Sequence, residues 1–323
     1  MSWLVTGGAG YIGTHVVRAL DAAGMSPVVL DDFSTGIESF VVDAPLVRGS
    51  VLDTDAVTAA LTAHGVEGVI HCAGYKFAGE SVKYPLHTYH QNVDGTRSLL
   101  QAMETAGVTR LVFSSSAGVY GTPDVAVVTE ETPTRPESPY GESKLIGEWL
   151  IRDQMIATAG GPAPLAATSL RYFNVVGSGF NDVWDASPHN LFPKVFAAIG
   201  AGIAPQINGT DYDTYDGTCV RDYVHVSDLA HSHVAAARML AAGRPLEPVY
   251  NLGSGSGTSV KEIVDAIVVA TGTSLTPVEA PRRAGDPASI VATGDKAADD
   301  IEWKHSHTVR EMVESAWTSH PRD

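Results

Sequence analysis

The sequence predicts an α/β protein with a doubly wound parallel sheet (a Rossmann fold) and a second, smaller α/β domain. The first observation is that short apolar runs alternate with helix-like segments through the first half of the chain. Strands joined through helices pair in parallel with right-handed crossovers. The second is a glycine-rich turn directly after the first apolar run, where nucleotide-binding α/β folds place it. We expect an NAD-binding domain over 1–173, with a later return to it near 222–250, and a mainly substrate-binding domain over 174–323.

The predicted elements of the first domain are short strands and longer helices. The strands are expected at Trp3–Thr6, Pro27–Leu30, Leu46–Arg48, Gly68–Cys72, Arg110–Ser114 and Thr168–Tyr172. The helices between them are expected at Tyr11–Ala23, Thr54–His64 and Val93–Ala106. After Asn174 the pattern loosens into loops rich in Gly, Asp, Asn and Tyr. Helices return in VSDLAHSHVAAARML and in SVKEIVDAIVVAT, where Ser259 and Glu262 fit a capping box.

The composition indicates a globular protein of a reducing compartment. Of the 323 residues, 44% are hydrophobic and 18% charged, and no apolar run is long enough to span a bilayer. The N-terminus lacks the basic stretch and apolar core of a signal peptide. Cys72 and Cys219 lie far apart, which argues against a disulfide framework, so we expect a cytoplasmic protein. A net charge of −16 without a basic patch predicts no nucleic-acid partner, and we expect no membrane partner either.

The glycine turn predicts a dinucleotide site. Gly7, Gly10 and Gly13 let the backbone approach a pyrophosphate, which the amides and the dipole at a helix start stabilise. The second strand ends at Asp31, where a carboxylate can bind both ribose hydroxyls and repel a 2′-phosphate. This favours NAD over NADP. A plain tight turn and a solvated aspartate are the simpler alternatives.

The stretch PYGESK predicts a catalytic tyrosine. Pro139 suits a helix start, so Tyr140 and Lys144 fall at i and i+4 on one face, and Ser116 follows a predicted strand. A lysine ammonium and a nearby nicotinamide cation should lower the pKa of the tyrosine, which could then act as a base toward an alcohol. We expect Tyr140 to take a proton from a substrate hydroxyl that Ser116 also binds, while hydride leaves for NAD. Lys144 would also hold the nicotinamide ribose. The alternative is a surface Tyr–Lys pair.

These motifs resemble the extended short-chain dehydrogenase/reductase family over nearly the whole chain, from VTGGAGYIG to about Trp303. Five further segments are similar to those members that epimerise UDP-hexoses at C4. They are VIHCAGYKFAGESVKYPLHTYHQNVDGT, RYFNVVG, HNLFP, DGTCVRDYVHVSDLA and APRRAGD. The resemblance implies interconversion of UDP-galactose and UDP-glucose through a 4-keto sugar, with tightly bound NAD and a role in galactose metabolism.

The resemblance also implies the residues of both sites. It places NAD against Gly7, Gly10, Tyr11, Ile12, Gly13, Asp31, Asp32, Ser34, Thr35, Gly36, Ser50, Val51, Cys72, Ala73, Gly74, Lys76, Asn92, Ser114, Tyr140, Lys144 and Tyr172. It places the UDP-sugar against Lys76, Ser116, Tyr140, Phe173, Asn174, Asn190, Leu191, Gln206, Asn208, Arg221, Tyr223, Arg283, Asp286 and Ile290. Within this set the two arginines hold the diphosphate, because a guanidinium binds phosphate oxygens bidentately. For each arginine the alternative is a structural ion pair or a solvated loop.

Some positions depart from the family pattern. Ser50 replaces an acidic residue near the adenine, Asn208 an aromatic residue near the uracil, and Gly118 a threonine or alanine. Ile290 occupies a position of variable size that controls access of N-acetyl sugars. Because isoleucine is intermediate in size, we expect some activity on UDP-N-acetylhexosamines.

Several alternatives stay open. The chain could epimerise UDP-GlcNAc or UDP-GalNAc, UDP-xylose or UDP-glucuronate. A 4,6-dehydratase needs an acidic pair beside Ser116, where Ala117 and Gly118 stand instead, and a non-catalytic NAD-binding protein would be expected to lose the tyrosine or lysine. No metal site is expected, because His231 and His233 point to different faces of a helix. Cys72 is expected to pack beside the cofactor rather than act as a nucleophile.

A homodimer is expected by resemblance, through helices at Val93–Ala106 and Tyr140–Met155. Leu145, Trp149 and Ile156 form an apolar stripe on the second helix, which could equally be core that faces the sheet.

Overall fold

The first half of the chain folds around a seven-stranded parallel sheet. The structure is a computed structural model that describes residues 1–282 and 287–321. The strands of this sheet are β1 (Ser2–Thr6), β2 (Ser26–Asp31), β3 (Leu46–Arg48), β4 (Val66–His71), β5 (Arg110–Ser114), β6 (Ala166–Tyr172) and β10 (Val249–Leu252). Their order is β3-β2-β1-β4-β5-β6-β10. The order reverses direction between β1 and β4, and such a switch point opens a crevice at the carboxyl ends of the strands.

Helices cover both faces of this sheet. They are α1 (Tyr11–Ala22), α2 (Thr54–Ala63), α3 (Ala78–Ser81), α4 (Pro85–Tyr89), α5 (Gly95–Ala106), α6 (Pro139–Thr158), α8 (Val226–Ala241) and α10 (Asp295–Ile301). Successive residues of β1 point to opposite faces, so Trp3 packs in the core with α1 and α8, and Leu4 in the core with α2 and α5. Because both faces are buried, the strands appear in the sequence as continuous apolar runs.

The second half builds smaller sheets around β9 (Val220–His225). This strand pairs in parallel with β7 (Asn174–Val176) and β13 (Ser289–Ile290) and antiparallel with β11 (Gly257–Ser259). A separate parallel pair joins β8 (Gln206–Asn208) and β12 (Val278–Ala280). The helices here are α7 (Leu191–Gly200), α9 (Val260–Thr271) and α11 (Val309–Ser319), which enclose a core around Phe192, Ile263 and Met312.

The structure confirms the predicted fold class and every predicted strand of the first half, within two residues at each end. The helix predicted from Val93 begins as a π-helical segment, His90–Asp94, that continues into α5. The capping box is present, with reciprocal hydrogen bonds between Ser259 and Glu262 of 3.0 and 2.8 Å. The chain was predicted to return to the first domain near 222–250. In this range α8 packs on the first sheet and β10 begins as a strand of it, whereas β9 pairs with strands of the second half.

Two further observations concern the composition. Cys72 and Cys219 are both free thiols. Among the helices of the described chain, none is long and apolar enough to cross a bilayer.

Candidate active site

One large cavity lies at the carboxyl ends of the parallel strands and extends to β8 and β9. Its volume is about 700 Å³. The predicted residues on its wall are Gly7, Gly10, Tyr11, Ile12, Gly13, Asp31, Asp32, Ser34, Thr35, Val51, Cys72, Ala73, Gly74, Lys76, Ser116, Tyr140, Lys144, Tyr172, Phe173, Asn174, Asn190, Leu191, Asn208, Arg221 and Tyr223. Other predicted residues lie off this wall, namely Gly36, Ser50, Asn92, Ser114, Gln206 and Ile290. Arg283 and Asp286 lie outside the described residues.

The glycine turn leaves no room for side chains. A Cβ at Gly13 would lie 2.0 Å from the carbonyl oxygen of Gly7, and a Cβ at Gly7 would lie 2.8 Å from the backbone nitrogen of Ala73. Helix α1 starts directly after this turn, and its N-cap residue Gly10 makes no side-chain cap. The start of α1 lies on the cavity wall through Gly10, Tyr11, Ile12 and Gly13, and the free amides of a helix start suit a pyrophosphate.

Asp31 lies beside this turn at the end of β2. Its carboxylate accepts hydrogen bonds from the backbone amides of Ala9 at 2.9 Å and Phe33 at 2.8 Å, which fix its orientation. Burial raises its pKa, and the two amides partly oppose that effect. The turn and this carboxylate fit a dinucleotide. Off the wall, the hydroxyl of Ser50 accepts the amide of Leu52 at 3.3 Å.

Ser116, Tyr140 and Lys144 all lie on the wall of this cavity, and Ser116 is hydrogen-bonded to Tyr140. Helix α6 begins at Pro139 as predicted, capped by the hydroxyl of Ser138. The ammonium of Lys144 is buried, and it donates to the carbonyl oxygen of Ser114 at 2.9 Å. Burial lowers the pKa of Lys144 to about 8.

The predicted effect of Lys144 on Tyr140 is wrong for the protein's own groups. Burial raises the pKa of Tyr140, and the hydrogen bond with Ser116 lowers it by less. The spacing of the two residues places them on one face, but the ammonium turns to the Ser114 carbonyl. The burial of Tyr140 depends on segments that are distant in the sequence. The i, i+4 spacing of Tyr140 and Lys144 therefore could not predict the direction of the Tyr140 pKa.

Asn92 lies behind the cavity wall and holds one of its loops in place. Its side-chain oxygen accepts the amide of Tyr75 at 2.6 Å, and its amide group donates to the carbonyl of Tyr75 at 3.0 Å and to Ser143 at 2.8 Å. A Cβ at Gly74, whose φ is +148°, would lie 2.8 Å from that side-chain oxygen. Asn92 therefore fixes the loop that carries Lys76.

The residues around Cys72 fit a packing role. Its sulfur lies 3.2 Å from the hydroxyl of Ser114, which also contacts Nε2 of His233 at 2.8 Å. Burial raises the pKa of Cys72 to about 11, so the thiol is neutral at neutral pH. His233 is fully buried and His231 exposed. Within the described residues, no group of three or more His, Cys, Asp or Glu side chains could hold a metal ion.

The far end of the cavity is formed by the second half of the chain. Asn208 lies on β8, and Arg221 and Tyr223 lie on β9. The intervening Asp222 is fully buried and accepts backbone amides of Ser254 at 2.9 Å and Ala292 at 3.2 Å. Because side chains alternate along a strand, Arg221 and Tyr223 face the cavity together, on the side opposite Asp222.

Sequence reasoning missed an aromatic part of the wall. Phe77 lies 4.8 Å from the ring of His189 and 5.2 Å from that of Tyr75, measured between ring centroids. Beside them, Lys76 lies 3.9 Å from Asp185. These contacts join the loop after β4 to the loop before α7. The interruption of polar residues by aromatics in these loops was the available signal, but it did not give their partners.

Ile290 lies behind the wall rather than on it. It is buried in a cluster with Ala117, Leu145 and Phe173. Phe173 lines the cavity, so Ile290 acts on the cavity through a neighbour.

Comparison with known proteins gives consistent matches. The NAD dependent epimerase/dehydratase family model matches residues 3–253. A UDP-glucose 4-epimerase of Corynebacterium glutamicum is 44% identical over 322 residues, which cover 98% of this chain and 95% of the relative. A UDP-glucose 4-epimerase structure from Stenotrophomonas maltophila, with bound NAD and formylated UDP-arabinopyranose, matches with a TM-score of 0.92 and 37% identity, over 99% of this chain and 97% of that one. The enzyme from Brucella ovis in complex with NAD matches with a TM-score of 0.92 and 35% identity, over 98% and 97%.

Proposed function

The chain belongs to the NAD dependent epimerase/dehydratase family, and on that premise we propose that it is a UDP-glucose 4-epimerase that interconverts UDP-galactose and UDP-glucose. One observation carries the proposal: Ser116, Tyr140 and Lys144 meet in a cavity that runs from the glycine turn to Arg221. The cavity thus joins a dinucleotide site, an acid–base group and a cation for a diphosphate. The relatives with this name cover nearly the whole chain.

NAD is the cofactor, as in the related structures. Gly7, Gly10 and Gly13 would hold its pyrophosphate, and Asp31 would hold the adenosine ribose. When bound, NAD supplies the acceptor, and then the donor, of the hydride at C4 of the hexose.

The chain's own residues manage the proton and the position of the sugar. Tyr140 takes the proton of the C4 hydroxyl, and Ser116, which is hydrogen-bonded to Tyr140, orients that hydroxyl. Because burial raises the pKa of Tyr140 and the ammonium of Lys144 donates to the Ser114 carbonyl, the phenolate would depend on the positive charge of the bound nicotinamide. Arg221 binds the diphosphate, so that binding energy is concentrated away from the reacting carbon while the keto sugar turns over.

The test uses the purified protein and UDP-galactose, without NAD in the buffer. We expect UDP-glucose to appear on chromatography, because retained NAD suffices, and Tyr140→Phe to form it at least about 100-fold more slowly. Absence of conversion by the wild-type protein, even with NAD supplied, would overturn the proposal. UDP-GlcNAc, UDP-xylose and UDP-glucuronate in the same assay test the other epimerase substrates. A 4,6-dehydratase is not favoured, since Ala117 and Gly118 follow Ser116.

We further propose some activity on UDP-N-acetylhexosamines. The support is the intermediate size of Ile290, which belongs to the same buried cluster as Phe173, a residue of the cavity wall. Turnover of UDP-GlcNAc at millimolar concentration is expected. If none is detected in a preparation that converts UDP-galactose, the broader substrate range is wrong.

We also propose a cytoplasmic homodimer that acts in galactose metabolism. The apolar stripe on α6 divides in the structure: Leu145 is buried, whereas Trp149 is 46% exposed and Ile156 is 67% exposed. The two side chains stand at i and i+7 on one side of α6, and this exposed apolar surface supports a second subunit there.

A further inference from the structure

The end of β5 is held by a row of three side chains on α6. The carbonyl of Ser114 accepts Nζ of Lys144 at 2.9 Å, and the hydroxyl of Ser115 donates to Oε1 of Glu148 at 2.5 Å. Ser116 is hydrogen-bonded to Tyr140. Tyr140, Lys144 and Glu148 stand at i, i+4 and i+8, on one face of the helix. Glu148 therefore lies on the same face of α6 as the proposed catalytic residues Tyr140 and Lys144, one turn after Lys144.

Arg171 on β6 fixes the orientation of Glu148. Nε and one terminal nitrogen of its guanidinium donate to the two oxygens of Glu148 at 2.9 and 2.6 Å. The other terminal nitrogen donates to the hydroxyl of Tyr120 at 2.9 Å, which itself donates to Asn251 at 2.7 Å. Both charged side chains are less than a tenth exposed. A buried ion pair often stabilises a fold no better than an apolar pair would, so stability is a weak reason for this one.

Glu148 is also the charged neighbour of Lys144. Burial lowers the pKa of Lys144, while Cys72 and Glu148 raise it. Burial raises the pKa of Cys72 to about 11 and lowers the pKa of the neighbouring His71 to about 3. Both side chains are therefore neutral near pH 7. Tyr140 has its pKa raised as well. Of the groups that act on Lys144 in the described chain, Glu148 is thus the one that is negatively charged near neutral pH.

We propose that Glu148, oriented by Arg171, is a positioning residue that keeps Lys144 charged and holds the strand end carrying Ser116 against α6. This inference rests on the proposed function, because Lys144 and Ser116 are residues of that reaction. Two parts can be separated: the charge acts on Lys144, and the hydrogen bond to Ser115 acts on the position of Ser116.

Glu148→Gln tests the charge, since glutamine still offers an oxygen to Ser115. The direct measurement is the NMR titration of the lysine ¹³Cε resonances of the full-length protein with its bound NAD, with Lys144 assigned by Lys144→Met. We expect the midpoint of Lys144 to fall by about one pH unit. Turnover should fall by less than about twofold at pH 6.5 and by about eightfold at pH 8.5, where the variant has lost its ammonium. An unchanged midpoint in a folded variant would overturn the inference.

Ser115→Ala tests the position, because it keeps the charge and removes the hydrogen bond. We expect an unchanged Lys144 midpoint, a several-fold lower kcat and an unchanged KM. Asp228→Asn is the matched control, since Asp228 is a buried carboxylate that binds the backbone of Ser306 and His307 elsewhere in the fold. It should lower stability without moving the Lys144 midpoint; a comparable shift in this control would make the effect a general consequence of destabilisation and overturn the inference.

Two further arms keep the test decisive. If Glu148→Gln alone does not fold, the double variant Glu148→Gln/Arg171→Met removes both buried charges, and the Lys144 midpoint should still fall. A wild-type protein without epimerase activity would overturn the proposed function, whatever the titration shows. An active wild type whose Lys144 midpoint is the same in the double variant would instead overturn only the role of Glu148.

Discussion

Tyr140 is the residue whose loss should cost most turnover. Its replacement by phenylalanine removes the phenol oxygen that takes the C4 proton and leaves the ring packing in place. We expect kcat to fall by about 10²–10⁴-fold. The unfolding free energy should change by about 1 kcal/mol, because one hydrogen bond with Ser116 is lost. Steady-state epimerisation and the NAD content of the purified protein are the measurements.

The control for this prediction is Tyr215→Phe, at a tyrosine that is 66% exposed and contacts Glu262. It should keep wild-type turnover. A Tyr140→Phe enzyme as active as this control would remove Tyr140 from the reaction.

At this scale the sequence identifies residues whose chemistry depends on local spacing. Gly7, Asp31, Tyr140 and Lys144 belong to short motifs that begin or end an element, so their place on the cavity could be predicted. The direction of the Tyr140 pKa could not, because burial depends on which distant segments cover the ring. The place of Phe77 on the cavity wall was not predicted either. Its ring contacts that of His189, which lies on a loop far away in the sequence.

At the scale of elements, one loop of the second half is fastened along α1. The hydroxyl of Tyr11 donates to the carbonyl of Gly177 at 2.5 Å, and Arg18 makes two hydrogen bonds to Asp182 at 2.8 and 2.7 Å. Between them, Nε2 of His15 accepts the amide of Gly179 at 3.0 Å. Gly177, Trp184 and Asp185 of this loop, residues 177–185, lie on the wall of the cavity that contains the glycine turn, so the loop borders that cavity.

Asp182→Ala should therefore speed the release of NAD several-fold. The variant removes the hydrogen bonds from Arg18 that hold the middle of the loop. Since the Asp182 side chain is 56% exposed, stability should fall by less than about 1 kcal/mol. The measurement is the rate at which bound NAD leaves the protein after dilution, followed by ultrafiltration.

Asp265→Ala breaks another surface ion pair, with Lys261 on α9, in which each side chain is 51% exposed, and should leave NAD release unchanged. Equal release rates in the two variants would show that the loop does not limit cofactor exit.

The fold divides in the same way between predictable and unpredictable elements. Six strands of the first sheet, β1 to β6, were predicted within two residues, because most of them are buried on both faces and appear as apolar runs; the seventh strand, β10, was not predicted as a strand. Apart from β9, the strands of the smaller sheets in the described chain have only two or three residues, so they carry little periodicity. Their pairing comes from distant partners, such as β13 with β9. Tertiary contacts decide such elements, and local propensity does not.

At the scale of the whole molecule, the exposed apolar pair on α6 predicts the oligomeric state. Trp149→Glu and Ile156→Glu each place a charge where a second subunit would exclude water, which costs several kcal/mol. We expect the wild-type protein to sediment as a dimer at micromolar concentration and both variants to sediment as monomers. Val269→Glu is the control, because Val269 is 82% exposed on α9, and this variant should stay dimeric. A monomeric wild type would refute the dimer.

Four buried histidines of the described chain make the whole fold sensitive to acid. Burial lowers the pKa of His15, His225 and His233 to about 4, and that of His71 to about 3. They lie in different parts of the molecule: His15 on α1, His71 at the end of β4, His225 at the end of β9 and His233 on α8. Each is therefore neutral in the folded protein at pH 5, whereas an unfolded chain would bind the proton near pH 6.5.

This difference sets the direction of the pH dependence. Between pH 6.5 and pH 4 the unfolded state binds more protons, so the free energy of unfolding falls as the pH falls. The stabilisation from each histidine is fully present above pH 6.5 and reaches about 3 kcal/mol. Asp31 and Asp222, whose pKa burial raises, act in the opposite direction but are fewer.

We expect urea denaturation to give several kcal/mol less stability at pH 5 than at pH 7.5. His233→Gln should be less stable at pH 7.5 and lose less on acidification, because one of the four groups no longer titrates. A free energy of unfolding that stays level from pH 7.5 to pH 4.5 would mean that these rings gain access to protons without unfolding.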